Sequence, residues 1–327
     1  MESITKTKVT TEHIDRMVRK AFGEEIEVAN IEELTEGYFN TAYLVTLNNG
    51  DKSVLKVSPS EDVTVMSYEK NLMKTEVFTL ESIYSIGGIP VPKVLYYDKN
   101  KEIINSDYFF MEFVEGKPLN NVRDQLTSEQ YNKISSQLGD YAKKINSLDG
   151  NYFGSISRVD KRYNTWSDAF LSMIKELLDD AENMNVLLPC KSNELYSMIS
   201  GYQEVLNKVK KPSLVHKDMW EGNIFIDPKS SRITGIIDCE RALFGDPLIE
   251  IVCGFLVENK RFMDTYMGKT ELNKDEYIRV TLYKVYLFLL MVIEGAYRQY
   301  SDNSIENWAR EQLNNTLEVL INIEKSV

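Results

Sequence analysis

The sequence predicts an α+β protein whose first third is an antiparallel sheet with one inserted helix and whose remainder is mainly helical. Three observations predict it. Two strand-like runs, Thr41 to Leu47 and Ser53 to Val57, meet at Asn49-Gly50, a dipeptide suited to a tight hairpin. A helical pattern from Thr64 to Ile86 separates them from two later strand-like runs, and long helical patterns take over after Gly116-Lys117-Pro118. At 327 residues the chain exceeds what one core usually supports, so two lobes sharing a cleft are expected, residues 1–115 and 116–327.

Taken in order, Ile14, Met17, Val18 and Ala21 share one face of a helix that Thr10 and Thr11 cap and Gly23 ends. A strand around Ile31 to Leu34 precedes the hairpin. In the inserted helix, Leu72, Val77, Leu80 and Ile83 are apolar positions, and Gly87-Gly88 with Pro90 and Pro92 stop it. Lys93 to Tyr97 and Tyr108 to Val114 complete the sheet. The later helical patterns cover Leu126 to Leu148, Trp166 to Asn183, Asn193 to Val209, Asp275 to Tyr300 and Ser304 to Glu324. The nearly all-apolar run Tyr283 to Ala296 is too short to favour a membrane span over a core helix.

Composition narrows the function. A formal charge of -12 repels phosphate backbones and makes nucleic acid an unsuitable partner, whereas a cationic ligand is attracted. Three cysteines without a Cys-x-x-Cys pair and only two histidines leave carboxylate and amide oxygens as the available metal ligands. The polar stretch Met1 to Thr10 has no apolar signal core, so a cytoplasmic protein with no membrane association is expected. Oligomeric state is not legible.

The stretch from Leu214 to Asp227, followed by Gly235-Ile236-Ile237-Asp238, sets two apolar strand-like runs around a polar loop. Asp218, Asn223 and Asp238 are spaced so that the loop and the next strand end can converge. Their side chains suit magnesium-dependent phosphoryl transfer: Asn223 and Asp238 would give hard oxygen ligands to Mg2+, leaving Asp218 to orient and deprotonate a substrate hydroxyl.

His216-x-Asp218-x4-Asn223, with Ile237-Asp238 and Gly245-Asp246-Pro247, resembles the aminoglycoside phosphotransferase and choline kinase group of small-molecule kinases. The resemblance runs in ordered motifs from about Glu36 to Phe255 and implies a two-lobed protein-kinase-like fold. It makes Asp218 the catalytic aspartate, Asn223 and Asp238 the magnesium ligands, His216 a brace for the loop and Asp246 a structural support. Resemblance to kinases generally makes Lys56 the cation on the phosphates of ATP or GTP, with Glu76 on the following helix as its partner and Glu69 as the rival. The loop Glu36 to Thr41 occupies the phosphate-covering position, where the backbone amides of Phe39 and Asn40, or the Asn40 side chain, could meet phosphate oxygens, or where Gly37 could equally serve an ordinary turn. The Glu112 carbonyl and the Val114 amide match the purine-binding hinge, with Ile237 and Phe225 as its apolar floor. Lys217 departs from the pattern, replacing a small glycine and adding a cation beside Asp218; it is expected to project to solvent rather than to contact phosphate.

These residues imply a kinase acting on a hydroxyl of a small molecule, an aminoglycoside-type antibiotic or a similar cationic metabolite. Glu294, Asp302, Glu306 and Glu311 are carboxylates that such an acceptor could meet, or ordinary exposed helix faces. Choline, homoserine, amino-sugar and macrolide kinases share the motifs. A non-catalytic nucleotide-binding regulator is the alternative from another class.

Overall fold

Thr10 caps the first helix by accepting the His13 N–H, and the chain then builds a sheet with two buried faces. The computed structural model describes residues 5–35, 37, 39–299 and 302–325. Helix α1 (Thr11–Phe22) leads to β1 (Val28–Leu34), β2 (Thr41–Leu47), β3 (Lys52–Val57), α2 (Leu72–Ile86), β4 (Val94–Asp98) and β5 (Tyr108–Glu112). The antiparallel sheet has the order β1-β2-β3-β5-β4.

Alternation along β3 and β5 decides what each face covers. Leu55, Val57, Tyr108 and Phe110 pack with Ile14, Met17 and Val18 of α1. Val54, Phe109 and Met111 turn the other way, onto Met73, Val77, Leu80 and Ile83 of α2, in a core continuous with that of the helical lobe. Lys56 shares the parity of Val54 and is paired in register with Phe109, so its side chain is delivered to α2 and the helical lobe.

The predicted helix from residue 64 is shorter than expected. Asn71 adopts a left-handed φ of +64°, which breaks the helix, and a separate 3-10 turn forms at Ser67–Glu69. The predicted helix 193–209 is likewise two pieces, separated at Gly201-Tyr202. The expectation at Tyr300 lies outside the described residues.

The remainder comprises β6 (Lys117–Pro118), α3 (Leu119–Val122), α4 (Ser128–Ile145), β7 (Phe153–Ser155), β8 (Arg162–Tyr163), α5 (Trp166–Asn183), α6 (Ser192–Ser200), α7 (Gln203–Leu206) and β9 (Ser213–Val215). Then follow β10 (Ile224–Asp227), β11 (Arg232–Ile236), β12 (Leu243–Gly245), α8 (Leu248–Cys253), α9 (Lys260–Met267), α10 (Lys274–Arg298) and α11 (Ser304–Lys325). Two small sheets, β11-β10-β6 and β8-β7-β12-β9, frame the loop between β9 and β10. Helix α10 is long and apolar enough to cross a membrane by composition, but 78% of its most apolar window is buried in the protein, against α5, α8 and α11 among others.

One anchor fixes this frame. Asp246, just after β12, accepts from Arg279 Nε at 2.7 Å, from the Tyr283 hydroxyl at 2.6 Å and from the Leu248 N–H at 3.1 Å. Trp166 Nε1 donates to the same hydroxyl at 2.6 Å, tying α5 to α10. The Asp246 side chain is 4% exposed and that of Arg279 12%, so removing one partner strands a largely desolvated charge. Asp246→Ala is expected to lower unfolding stability by about 3–5 kcal/mol in urea titrations; a loss below about 1 kcal/mol would show that water replaces the carboxylate.

Candidate active site

Lys56 reaches α2 because of its strand parity, and there its Nζ lies 2.6 Å from Glu76 Oε1. The same ammonium lies 2.7 Å from Asp238 Oδ1, immediately after β11. Glu69, the rival partner, instead takes Arg298 at 2.6 Å. Burial opposes the charge on Lys56, but Asp238, Glu76 and Glu240 together outweigh it and push its pKa well above the ordinary lysine value. Burial likewise works against ionised Asp238, yet Lys56 prevails and holds that carboxyl below its usual range.

The loop between β9 and β10 is pinned from behind. Glu250 of α8, which is fully buried, accepts the His216 N–H at 2.8 Å and the Lys217 N–H at 2.9 Å. Burial pushes His216 down to about 4, so the ring is neutral and its Nδ1 can accept from the Asp218 N–H at 3.3 Å. Asn223 Nδ2 then donates to the Asp218 carbonyl at 2.9 Å and to Asp218 Oδ2 at 3.1 Å. The Ile237 N–H donates to the Asn223 carbonyl at 3.0 Å, which sets Asp238 beside the loop. Asp218 is pushed up to about 6, first by burial, with Asp238 and Glu294 adding to the shift and Arg241 and Asn223 opposing it.

Lys217 and Asp238 both hold φ at +65°. That region is uncommon for side chains other than glycine and costs of order 1–3 kcal/mol where it occurs. Contrary to the expectation of a solvent-facing side chain, Lys217 is 5% exposed. Its Nζ donates to the Tyr286 hydroxyl at 2.8 Å and lies 4.6 Å from the centre of that ring. The left-handed backbone turns the side chain inward rather than out.

The loop between β1 and β2 and the segment after β5 carry the remaining candidate residues. Asn40 is buried and its Nδ2 donates to Glu240 Oε2 at 2.6 Å, so the side-chain amide nitrogen is engaged. Phe39 is buried, 5.5 Å from the Arg298 guanidinium. Glu36 and Tyr38 of that loop lie outside the described residues. Glu112 ends β5 and its carboxylate accepts the Lys93 N–H at 3.1 Å. Val114 packs on Gly235, where an added Cβ would come within 2.3 Å of it. Ile237 is half-buried between Asn223 and Asp238. Glu294 does not offer a free carboxylate: Arg241 holds it at 3.0 Å and Arg298 at 2.5 Å. Glu306 pairs with Arg310 at 2.7 Å, Asp302 accepts from Ser304, and Glu311 is exposed.

Sequence reasoning missed Glu240, Arg241 and Glu250. A glutamate inside the apolar run Leu248 to Cys253 is itself a signal of a buried acceptor, and a Glu-Arg pair directly after Asp238-Cys239 marks a polar strand end.

The site offers room for a metal in its donor set. Asp238 commits Oδ1 to Lys56, and Asn223 commits its amide nitrogen to Asp218, which leaves one hard oxygen on each. Carboxyl oxygens of Glu76, Asp238 and Glu240 also come within 4.8 Å of one another, and burial, with the neighbouring acids adding to it, pushes Glu240 well above its usual carboxylate range.

Known proteins share this arrangement of the chain. Altered inheritance of mitochondria protein 9, mitochondrial, of Saccharomyces cerevisiae is 27% identical over 161 residues, 45% of this chain and 25% of that protein. The chain therefore matches only about a quarter of the length of that curated relative. A Thermobifida fusca chain described as a fructosamine-3-kinase superposes with a TM-score of 0.68 at 18% identity, covering 95% of this chain and 100% of the other. A thermostable mutant of aminoglycoside phosphotransferase APH(4)-Ia, in ternary complex with ADP and hygromycin B, superposes with a TM-score of 0.64 at 17% identity, covering 93% and 98%. These similarities show a protein-kinase-like fold. The family model of the phosphotransferase enzyme family matches residues 30–267, well over half of the 327, and the chain belongs to that family.

Proposed function

We propose that this protein is a small-molecule kinase that transfers the γ-phosphate of ATP or GTP to a hydroxyl group. The observation that carries this reading is the buried clasp of Lys56 between Glu76 and Asp238, set beside the hydrogen-bonded pair Asp218 and Asn223. A lysine held rigidly by two carboxylates keeps its charge and one direction, as a contact to nucleotide phosphates requires.

On this reading the base lies at the end of β5, with the Glu112 carbonyl and Val114 amide on its edge and Ile237 beneath it. The backbone N–H groups of Phe39 and Asn40 cover the phosphates. Asn223 and Asp238 would hold Mg2+ through their free oxygens; the ion supplies positive charge against the developing negative charge of the transferred group. Asp218 accepts the acceptor's hydroxyl proton. The oxygen bonds to the γ-phosphorus as the bond from that phosphorus to the diphosphate breaks.

Burial suits Asp218 to this role. A carboxylate with a pKa near 6 is a stronger base than an ordinary aspartate and is still mostly ionised at neutral pH. Lys56 meanwhile keeps Asp238 ionised, so the two carboxyls separate into a base and a metal ligand.

The direct test is magnesium-dependent ADP or GDP release against a panel of aminoglycosides, macrolides, choline, homoserine and amino sugars. Asp218→Asn is expected to lower acceptor-stimulated turnover roughly 10²- to 10⁴-fold while nucleotide affinity stays within a few-fold; unchanged turnover would remove Asp218 from the chemistry. Because Asp218 acts as its anion, kcat/KM is expected to fall as pH drops through about 6 and to level off above it. A profile with no inflection between pH 5 and 7 would contradict that role.

A further inference from the structure

Lys217 presents two costs that the kinase reading does not use. Its backbone lies in a conformation that favours glycine, and the residue is 5% exposed while its ammonium forms no ion pair among the described residues. A neutral phenol satisfies one of three ammonium protons. A buried charge without a counter-charge is unfavourable, and a bound anion would relieve that cost.

The side chain lines a cavity of about 60 Å³ beside the catalytic loop. At roughly 10–15 Å³ per water-sized position, that is room for about four to six heavy atoms. Arg241, Arg158 and Lys161 line the same cavity. Its carboxylates are already committed: Glu176 serves Arg158 at 2.8 Å and Lys161 at 3.0 Å, and Glu240 accepts from Asn40. Ser155, Ser157 and Ser172 add hydroxyl donors to the wall. A wider polar recess shares Ser157, Arg158, Lys161 and Glu176 with the cavity.

We infer that this cavity is an oxyanion site, taking a carboxylate or phosphate group whose charge Lys217 neutralises. A small anion fits the volume, receives hydroxyl and ammonium donors and supplies the counter-charge that Lys217 lacks. Two sources present the same chemistry: an anionic group on the phosphoryl acceptor, or a free phosphate that occupies the cavity as a separate ligand. The binding site stands independently of the kinase reading; only its assignment to the acceptor rests on that reading.

The test is thermal unfolding of the full chain with increasing inorganic phosphate or acetate, ionic strength held constant with chloride, for the wild type and Lys217→Met. The wild type is expected to show a saturable rise of about 2–5 °C with phosphate or acetate. Lys217→Met is expected to show none, and to melt no lower than the wild type without either anion because its buried charge is gone. An equal rise in both proteins, or no rise in the wild type, overturns the site. Should Lys217→Met not fold, Tyr286→Phe serves instead: it removes the phenol and keeps the cation, so its phosphate response should be at least as large as that of the wild type. A Tyr286→Phe protein without a response overturns the proposal. Turnover then assigns the source. If hydroxycarboxylates or sugar phosphates are phosphorylated with a KM that rises in Lys217→Met, and phosphate competes with them, the anion belongs to the acceptor. If phosphate alters turnover without competing, the anion is a separate ligand.

Discussion

The ammonium of Lys56 is the point on which the site depends. It joins β3, α2 and the end of β11, three segments that meet nowhere else through an ion pair among the described residues. Such a charge is tolerable inside only because carboxylates surround it, and those carboxylates are tolerable only because of the charge. Removing Lys56 leaves both carboxylates without their ion-pair partner, whereas removing either carboxylate leaves the lysine the other. The sheet lobe is thereby held in register with the end of β11 in the helical lobe.

A second layer of constraint lies behind the loop. Glu250 takes two successive backbone N–H groups, neutral His216 takes a third, and the loop closes through Asn223. These bonds hold Lys217 and offset the cost of its left-handed backbone, which no side chain adopts freely. Farther from the loop, the Asp246 network has a similar role, fixing the segment after β12 to α10 and, through Tyr283 and Trp166, to α5. Rigid support on this scale is what a reaction that relies on positioning and electrostatics requires.

Much of this was legible in the sequence because local rules and the fold agree. Asn49-Gly50 does close the β2-β3 hairpin, and the strand parity that puts Lys56 on the face of Val54 also brings it to Glu76. The run from Leu214 to Asp227 showed its two strands and polar loop directly. What stayed hidden depends on long-range contacts. Asn71 breaks the inserted helix through a backbone conformation that helical periodicity does not register. Lys217 reads as an ordinary surface lysine unless its inward turn toward Tyr286, sixty-nine residues away, is known. Glu294 reads as an available acid on a helix face, whereas tertiary packing commits it to Arg241 and Arg298.

If the Lys56 clasp exists for nucleotide phosphates, calorimetric titration with magnesium present tests it most directly. ATP or GTP should bind the wild-type protein far more tightly than the corresponding nucleoside, and Lys56→Met should erase most of that difference while leaving nucleoside affinity nearly unchanged. The variant can fold because Glu76, pushed up to about 7 by its burial, can take a proton in place of its lost partner. Equal affinity of the wild type for triphosphate and nucleoside, or a triphosphate preference that survives in Lys56→Met, would contradict that role for the clasp.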